Sequence, residues 1–205
     1  MQSRVTPSLT PRVSVAGPSE RYEGPSGGDR DLVVIIGASS GDGLDLARAF
    51  SLAGATLLLV DNDAQRLARV ANLFGAASAV CDPSDDAAIA TLADTLARDE
   101  QSVGLLVNAY GSGGTRTHAA KLACTAMLSL LAAARAPGLV VNVDNFDSFE
   151  PDAGMGRRAF LAMHRAASRH ALRFSVRSQR VVSRHLRDGD FDRLAVNLMS
   201  RDRAA

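Results

Sequence analysis

The sequence predicts an α/β protein: a doubly wound parallel sheet of five to six strands with helices on both faces, three layers in all. Three observations carry this. Short apolar runs ending in Gly, Asp or Asn recur at regular intervals from residue 32 onward. Segments with apolar residues three or four apart separate them. A glycine-rich turn follows the first run. Strands buried on both faces read as continuous apolar runs, and repeated strand–helix units close as right-handed crossovers.

The elements follow in order. Residues 1–30 break any periodicity with Pro7, Pro11, Pro18, Pro25 and scattered Gly and Ser, and are expected to form a disordered tail. The tail lacks the apolar stretch of a secretory signal, and its prolines oppose a transit-type amphipathic helix. The folded domain is expected over 31–205. "LVVIIG" (32–37) reads as a buried strand. Leu46, Ala49, Phe50 and Ala53 share one helical face, with Gly54 as the stop. "ATLLLVD" (55–61) is a second strand, and 63–74 a helix with Leu67, Val70 and Leu73 spaced three apart. "ASAVCD" (77–82) is a third strand. Ser84 then offers an N-cap, with Asp85 and Asp86 suited to the first turn and Ile89, Leu92 and Leu96 at helical spacing. "VGLLVNA" (103–109) is a fourth strand. A helix near 118–135, the strand "LVVNV" (139–143), a helix near 157–174 and a sixth strand, "RVVS" (180–183), complete the pattern.

Composition narrows the function. The chain is 46% hydrophobic and 22% charged with a net charge of +1, ordinary for a soluble globular protein. No run approaches the roughly 18 apolar residues of a membrane-spanning helix. Cys81 and Cys124 are too few for a disulfide framework and have no metal-ligand spacing, so no metal site is expected and a reducing cytoplasm fits.

"IIGASSGDG" (35–43) joins strand to helix, the context that a dinucleotide fingerprint requires. Gly37 permits the tight turn, while Gly41 and Gly43 let backbone approach a pyrophosphate and the helix pack close to the sheet. Free N–H groups at the helix start attract phosphates. Asp61 ends the second strand, where a carboxylate can accept both ribose hydroxyls and repel a 2′-phosphate, so NAD is favoured over NADP. "GASSG" also matches Gly-x-Ser-x-Gly, with Ser39 as a nucleophile, but it follows the first strand and no oxyanion-loop motif precedes it, so the phosphate turn is preferred.

"GASSGDG", "VDND", "VCDPSD" and "LLVNAYG", in this order, resemble the short-chain dehydrogenase/reductase family over roughly residues 31–183. The resemblance implies a Rossmann-like NAD(P)-binding domain. In it Gly37, Ser39, Ser40, Gly41 and Gly43 line the pyrophosphate, Asp61 the ribose and Asp82 the adenine amine. Asn108 matches the first Asn of the family's NNAG and would tie neighbouring strands together.

The chain departs from that family at the catalytic centre. Asp42 stands where the family has Ile and adds a negative charge beside the pyrophosphate; Tyr110 replaces the small Ala of NNAG, close to the ribose by that resemblance, and its bulk is expected to fill part of the cofactor cleft. The family's Tyr-x-x-x-Lys needs a phenol acid whose pKa a lysine lowers. This chain has only Tyr22, Tyr110 and Lys121, so no register produces the motif. Its nearest match, "FLAMHRAA", places Phe160 at Tyr and His164 at Lys, and the family's Ser falls on Asn145 or Ser148. The family's helix-four Asn falls near Thr117 or His118. The stretch between the fourth and fifth strands is short for the family, and no substrate-loop pattern follows Ser183, so the domain reads as truncated at its C-terminal end.

Arg165, Arg169, Arg173 and Arg177 recur every four residues and suggest a basic helical stripe. It lacks the interleaved aromatics of a nucleic-acid groove, and no membrane or nucleic-acid partner is expected. In the family the helices near 118–135 and 157–174 form the subunit interface, so a like or unlike oligomer is expected, its partner chosen in part by charge. His118, His170 and His185 have no evident partners. The resulting expectation is a degenerate, shortened pseudoenzyme that keeps a dinucleotide site. The alternative is an active NAD(P)-dependent oxidoreductase of a small carbonyl or alcohol, rebuilt around His164 and Ser148. A third reading is a vestigial gene copy without function.

Overall fold

The structure is a computed structural model, and it describes residues 14–16, 31–99, 101–110, 113–135, 137–144, 153–182, 186 and 189–200. The strands are β1 (Ser14–Ala16), β2 (Leu32–Ile36), β3 (Leu57–Asp61), β4 (Ala77–Val80), β5 (Val103–Asn108), β6 (Leu139–Asp144) and β7 (Arg177–Val182). The helices are α1 (Gly41–Leu52), α2 (Ala64–Phe74), α3 (Asp86–Arg98), α4 (Gly113–Ala126), α5 (Leu128–Ala132), α6 (Ala153–Leu172) and α7 (Asp190–Ser200). They form one seven-stranded sheet in the order β1-β4-β3-β2-β5-β6-β7. All pairings from β4 through β7 are parallel, and only β1 is antiparallel. The Rossmann-like fold is therefore present, with the reversal of strand order lying between β2 and β5. In open α/β sheets the ligand crevice opens at that point, outside the carboxyl ends of the strands.

Alternate residues of each strand feed two cores. Val34, Ile36, Leu106 and Val140 pack with Ile89 and Leu92 of α3, Ala123 of α4, Leu131 of α5 and Ala171 of α6. Val33, Ile35, Val107 and Val141 pack with Leu46 and Phe50 of α1, Leu67 of α2 and Leu198 of α7. The period-two alternation of a twisted strand thus divides the core into the two layers that doubly wound connectivity requires.

Several elements differ from expectation. Within 1–30, residues 14–16 form β1 beside β4 rather than part of a disordered tail, and the rest of that segment lies outside the described residues. The helix expected near 118–135 starts earlier and is two helices, α4 and α5, meeting at Met127. The N-cap of α3 is Asp85, accepting from the Ala87 and Ala88 N–H groups, because Ser84 is already taken: its N–H and hydroxyl both donate to Asp82. Leu73 is 74% exposed, since the buried line of α2 runs Leu67, Val70, Ala71 and position 73 turns off that face. Arg173 follows the end of α6 and Arg177 opens β7, so the helical part of the arginine stripe is Arg165 and Arg169. Helix α7 was not anticipated.

Candidate dinucleotide site

The turn between β2 and α1 is the best-defined polar structure at the sheet's carboxyl edge. Gly37 and Ala38 donate their N–H groups to Val60 O at 2.8 and 3.2 Å, which carries the chain off β2 alongside β3. Gly37 has φ +83°, and a Cβ there would lie 2.6 Å from the Tyr110 backbone; a Cβ on Gly43 would lie 1.9 Å from Gly37 O. Both positions require glycine on space alone. Gly41, at φ +53°, has no neighbour within 4 Å of where a Cβ would stand, so its backbone faces open space. Ser40 is the N-cap of α1 but makes no side-chain cap hydrogen bond to the first-turn amides. Asp42 lies in that first turn, half-buried, where the helix dipole favours an acid.

Asp61 is built into the turn. It is 5% exposed; Oδ2 accepts from Ser39 N–H at 3.0 Å and Ser39 Oγ–H at 2.8 Å, and Oδ1 accepts from Asn62 N–H at 2.8 Å. The Ser39 hydroxyl is thus bonded to a carboxylate and is not paired with a histidine as a nucleophile would be. The structure brings Gly37, Ser39, Ser40, Gly41, Gly43 and Asp61 together at the carboxyl ends of β2 and β3, where an open α/β sheet has its ligand crevice. Amides at a helix start and open glycine backbone fit a pyrophosphate, and an acid at the end of β3 fits a ribose.

Asp82 lies just past β4, exposed at the same edge of the sheet. Tyr110, just past β5, reaches across: its phenol oxygen accepts from Asn62 Nδ2 at 2.8 Å, with the Asp82 carboxylate nearby. Burial, then the charges of Asp82 and Asp61, raise the Tyr110 phenol above its ordinary pKa of 10.

Asn108 is 3% exposed and sits behind the crevice. It donates from Nδ2 to Asn142 Oδ1 at 2.8 Å, its register partner on β6, and lies 3.4 Å from Cys124 Sγ on α4. Its Oδ1 has no hydrogen-bond partner among the described residues. Asn142, 0% exposed, continues the chain to His164 Nδ1 at 3.1 Å. A strand-tying role for Asn108 was expected; its partner Asn142 and the continuation to His164 were missed from sequence. The signal of the pair was there: "LLVN" closes β5 and "LVVN" opens the adjacent parallel strand β6, and the two asparagines are register partners.

The two sides of α6 differ from a proton-transfer site. Phe160 is fully buried against Ala120 and Met163, an apolar cluster of its own. His164, one turn on, is half-buried, and burial first and the Arg180 charge second lower its pKa below 6.5, so it is neutral near pH 7. Arg180 itself pairs with Asp144, which is 1% exposed at the end of β6, an ion pair the sequence reading also missed. Asn145 and Ser148 lie outside the described residues. Burial pushes the thiols of Cys81 and Cys124 up to about 12, so neither is poised as a nucleophile. Among the described residues no group of three or more His, Cys, Asp or Glu could hold a metal, and no helix is long and apolar enough to cross a membrane.

Comparison with known proteins agrees with this geometry. Galactitol 2-dehydrogenase (L-tagatose-forming) of Cereibacter sphaeroides is 40% identical over 85 residues, 40% of this chain; the match spans about a third (34%) of that protein. A metagenomic short-chain oxidoreductase in complex with NADP superposes with a TM-score of 0.70 at 22% identity, covering 82% of this chain and 89% of that one. The RhlG/NADP active-site complex of Pseudomonas aeruginosa superposes at 0.68 with 18% identity, covering 82% and 88%. These structural likenesses establish the fold alone. The sequence profile of the short chain dehydrogenase family matches residues 31–133, from β2 through α5, which takes in the glycine turn, Asp61, Asp82 and Asn108. This chain belongs to the short chain dehydrogenase family.

Proposed function

We propose that this protein binds a nicotinamide dinucleotide through the β2–α1 turn and turns over alcohols or ketones poorly or not at all. The observation that carries the binding half is the turn itself: glycines required at 37 and 43, a helix start that the Ser40 side chain does not cap, and Ser39 pinned by Asp61 at the point where strand order reverses. The impaired half is supported by α6. Hydride transfer to a carbonyl needs a proton delivered to the developing alkoxide, and a positioned acid is worth about 10²–10⁴-fold. Phe160 has no proton to give and faces an apolar cluster, while neutral His164 bonds to Asn142. The charge of Asp61 argues for NAD. Two features argue that NADP is to be tested equally: the carboxylate is already satisfied by its own chain, and the structural relatives named above are NADP complexes. We place association of subunits at the α4–α6 face and, from the free thiols, the protein in a reducing cytoplasm.

The test is fluorescence titration of the full chain with NADH and NADPH, followed by assays with galactitol and simple ketones. Saturable binding without turnover is expected. Robust turnover that His164→Ala abolishes would replace this reading with a working oxidoreductase rebuilt around that histidine.

A further inference from the structure

We infer that the Tyr110 ring is a built-in occupant of the nucleobase end of this crevice, which a dinucleotide must displace to bind. The inference rests on the dinucleotide reading above and concerns one end of that site.

The crevice has a direction. The phosphate turn lies at the end of β2 and the ribose-reading acid, Asp61, at the end of β3. The base attached to that ribose must continue the same way, over the end of β4, whose rim is Asp82. Tyr110 starts on the far side, after β5. The sheet order β4-β3-β2-β5 puts β2 between its own strand and β3. Yet its phenol oxygen is held at 2.8 Å by Asn62, the residue after β3, on the side of the turn where Asp82 follows β4. The side chain therefore crosses the crevice from one wall to the other. Its backbone lies close beside the phosphate turn, Tyr110 N and Cα standing 2.6 Å from the point where a Cβ on Gly37 would be. The ring is also half-buried, against the apolar layer that holds Ile36 and Cys81. A flat ring with a polar edge, bonded to the Asn62 amide and with the Asp82 carboxylate nearby, occupies the place a purine would otherwise take.

The consequence is a competition within one molecule. When only a fraction of the protein has the ring swung aside, apparent affinity falls by that fraction. Ligands with an adenosine half bear this cost, and the nicotinamide half alone does not.

The test measures binding of NADH, AMP and reduced nicotinamide mononucleotide to the wild type, Tyr110→Ala and Tyr110→Phe by calorimetry. Tyr110→Ala should bind AMP and NADH roughly tenfold tighter, the cost expected if nine molecules in ten are closed, with the mononucleotide unchanged. Tyr110→Phe keeps the ring and loses its polar anchor, and should gain part of that factor; it also carries the test if the alanine variant does not fold. A Tyr22→Phe background leaves Tyr110 as the sole tyrosine in a chain without tryptophan. In it, AMP should change tyrosine emission saturably, with the same dissociation constant. Weaker AMP binding by Tyr110→Ala would show the ring to be a platform for the base and overturn the inference. Unchanged AMP affinity, with NADH bound by all three proteins, would overturn it while leaving the dinucleotide site standing. Absence of NADH binding in every protein would overturn the dinucleotide reading and this inference with it.

Discussion

Removing the Asp61 carboxylate should loosen the phosphate turn and the ligand together. Three donors point at it from Ser39 and Asn62, all within 3.0 Å, and all lose their acceptor in Asp61→Ala. Orphaning buried donors costs about 1–3 kcal/mol, so urea denaturation should show a loss of that order, with NADH binding weakened by a similar amount. Unchanged stability would mean that the glycine backbone holds the turn unaided. The position of Asp61 was readable, because an acid ending the second strand is a linear signal. Its hydrogen bonds to Ser39 were not, because they depend on how the turn folds back over β3. His164 carries a second prediction. Its folded pKa lies below 6.5, so the unfolded chain binds this proton more readily than the native one. The stability it contributes is complete above 6.5 and is lost as pH falls through the lower folded value. The melting temperature of the wild type should therefore fall more steeply than that of His164→Gln between about pH 7 and pH 5. Parallel slopes would show that the Asn142 contact leaves the imidazole free to charge.

At the scale of elements, α6 decides what can be repaired. Phe160→Ala should destabilise the protein by about 3–5 kcal/mol, the usual cost of emptying a large core site. Phe160→Tyr combined with His164→Lys should not restore ketone reduction, because the new hydroxyl enters the cluster of Ala120 and Met163. Measurable turnover by that double variant would show that α6 can rotate its phenol into the crevice. Periodicity located α6 to within a few residues but could not say which of its faces meets α4, and that fact separates a buried Phe160 from a catalytic position. The cap of α3 shows the same limit on a smaller scale. "DPSDD" offers Ser84 and Asp85 as equal candidates, and the choice falls to Asp85 only because Asp82 captures Ser84 first. Helix α7 was legible in principle: Leu194, Ala195 and Leu198 follow helical spacing after Asp190 and Asp192 in its first turn. Its short length and the mixed sequence before it hid the pattern.

At the scale of the whole molecule, six parallel strands and their two helical layers were legible because each burial pattern is local. What lay beyond local pattern was long-range pairing, of which β1 is the clearest case. Charge sets the expectation for assembly. Neither α4 nor α6 contains an acidic residue, while Lys121, Arg158, Arg165 and Arg169 are exposed on them. Two copies meeting through this face would bring like charges together, and salt screens such repulsion. Light scattering should show self-association strengthening as salt rises; weakening with salt would indicate oppositely charged contacts elsewhere. The three residues of β1 have a different consequence, one of order in time. Ser14 pairs with Val80, so β1, made before β2, finds its neighbour only after β2, β3 and two helices have been made. It is a late fastening on a sheet already formed, and so short a ladder opens at little cost. While it is open, β4 is a bare edge offering unpaired amides to any other strand. A chain begun at Asp31 should accordingly melt within about 4 °C of the full chain, the shift that roughly 1 kcal/mol produces at this size. Yet it should precipitate at lower concentration, because the segment guards against other molecules more than it steadies its own.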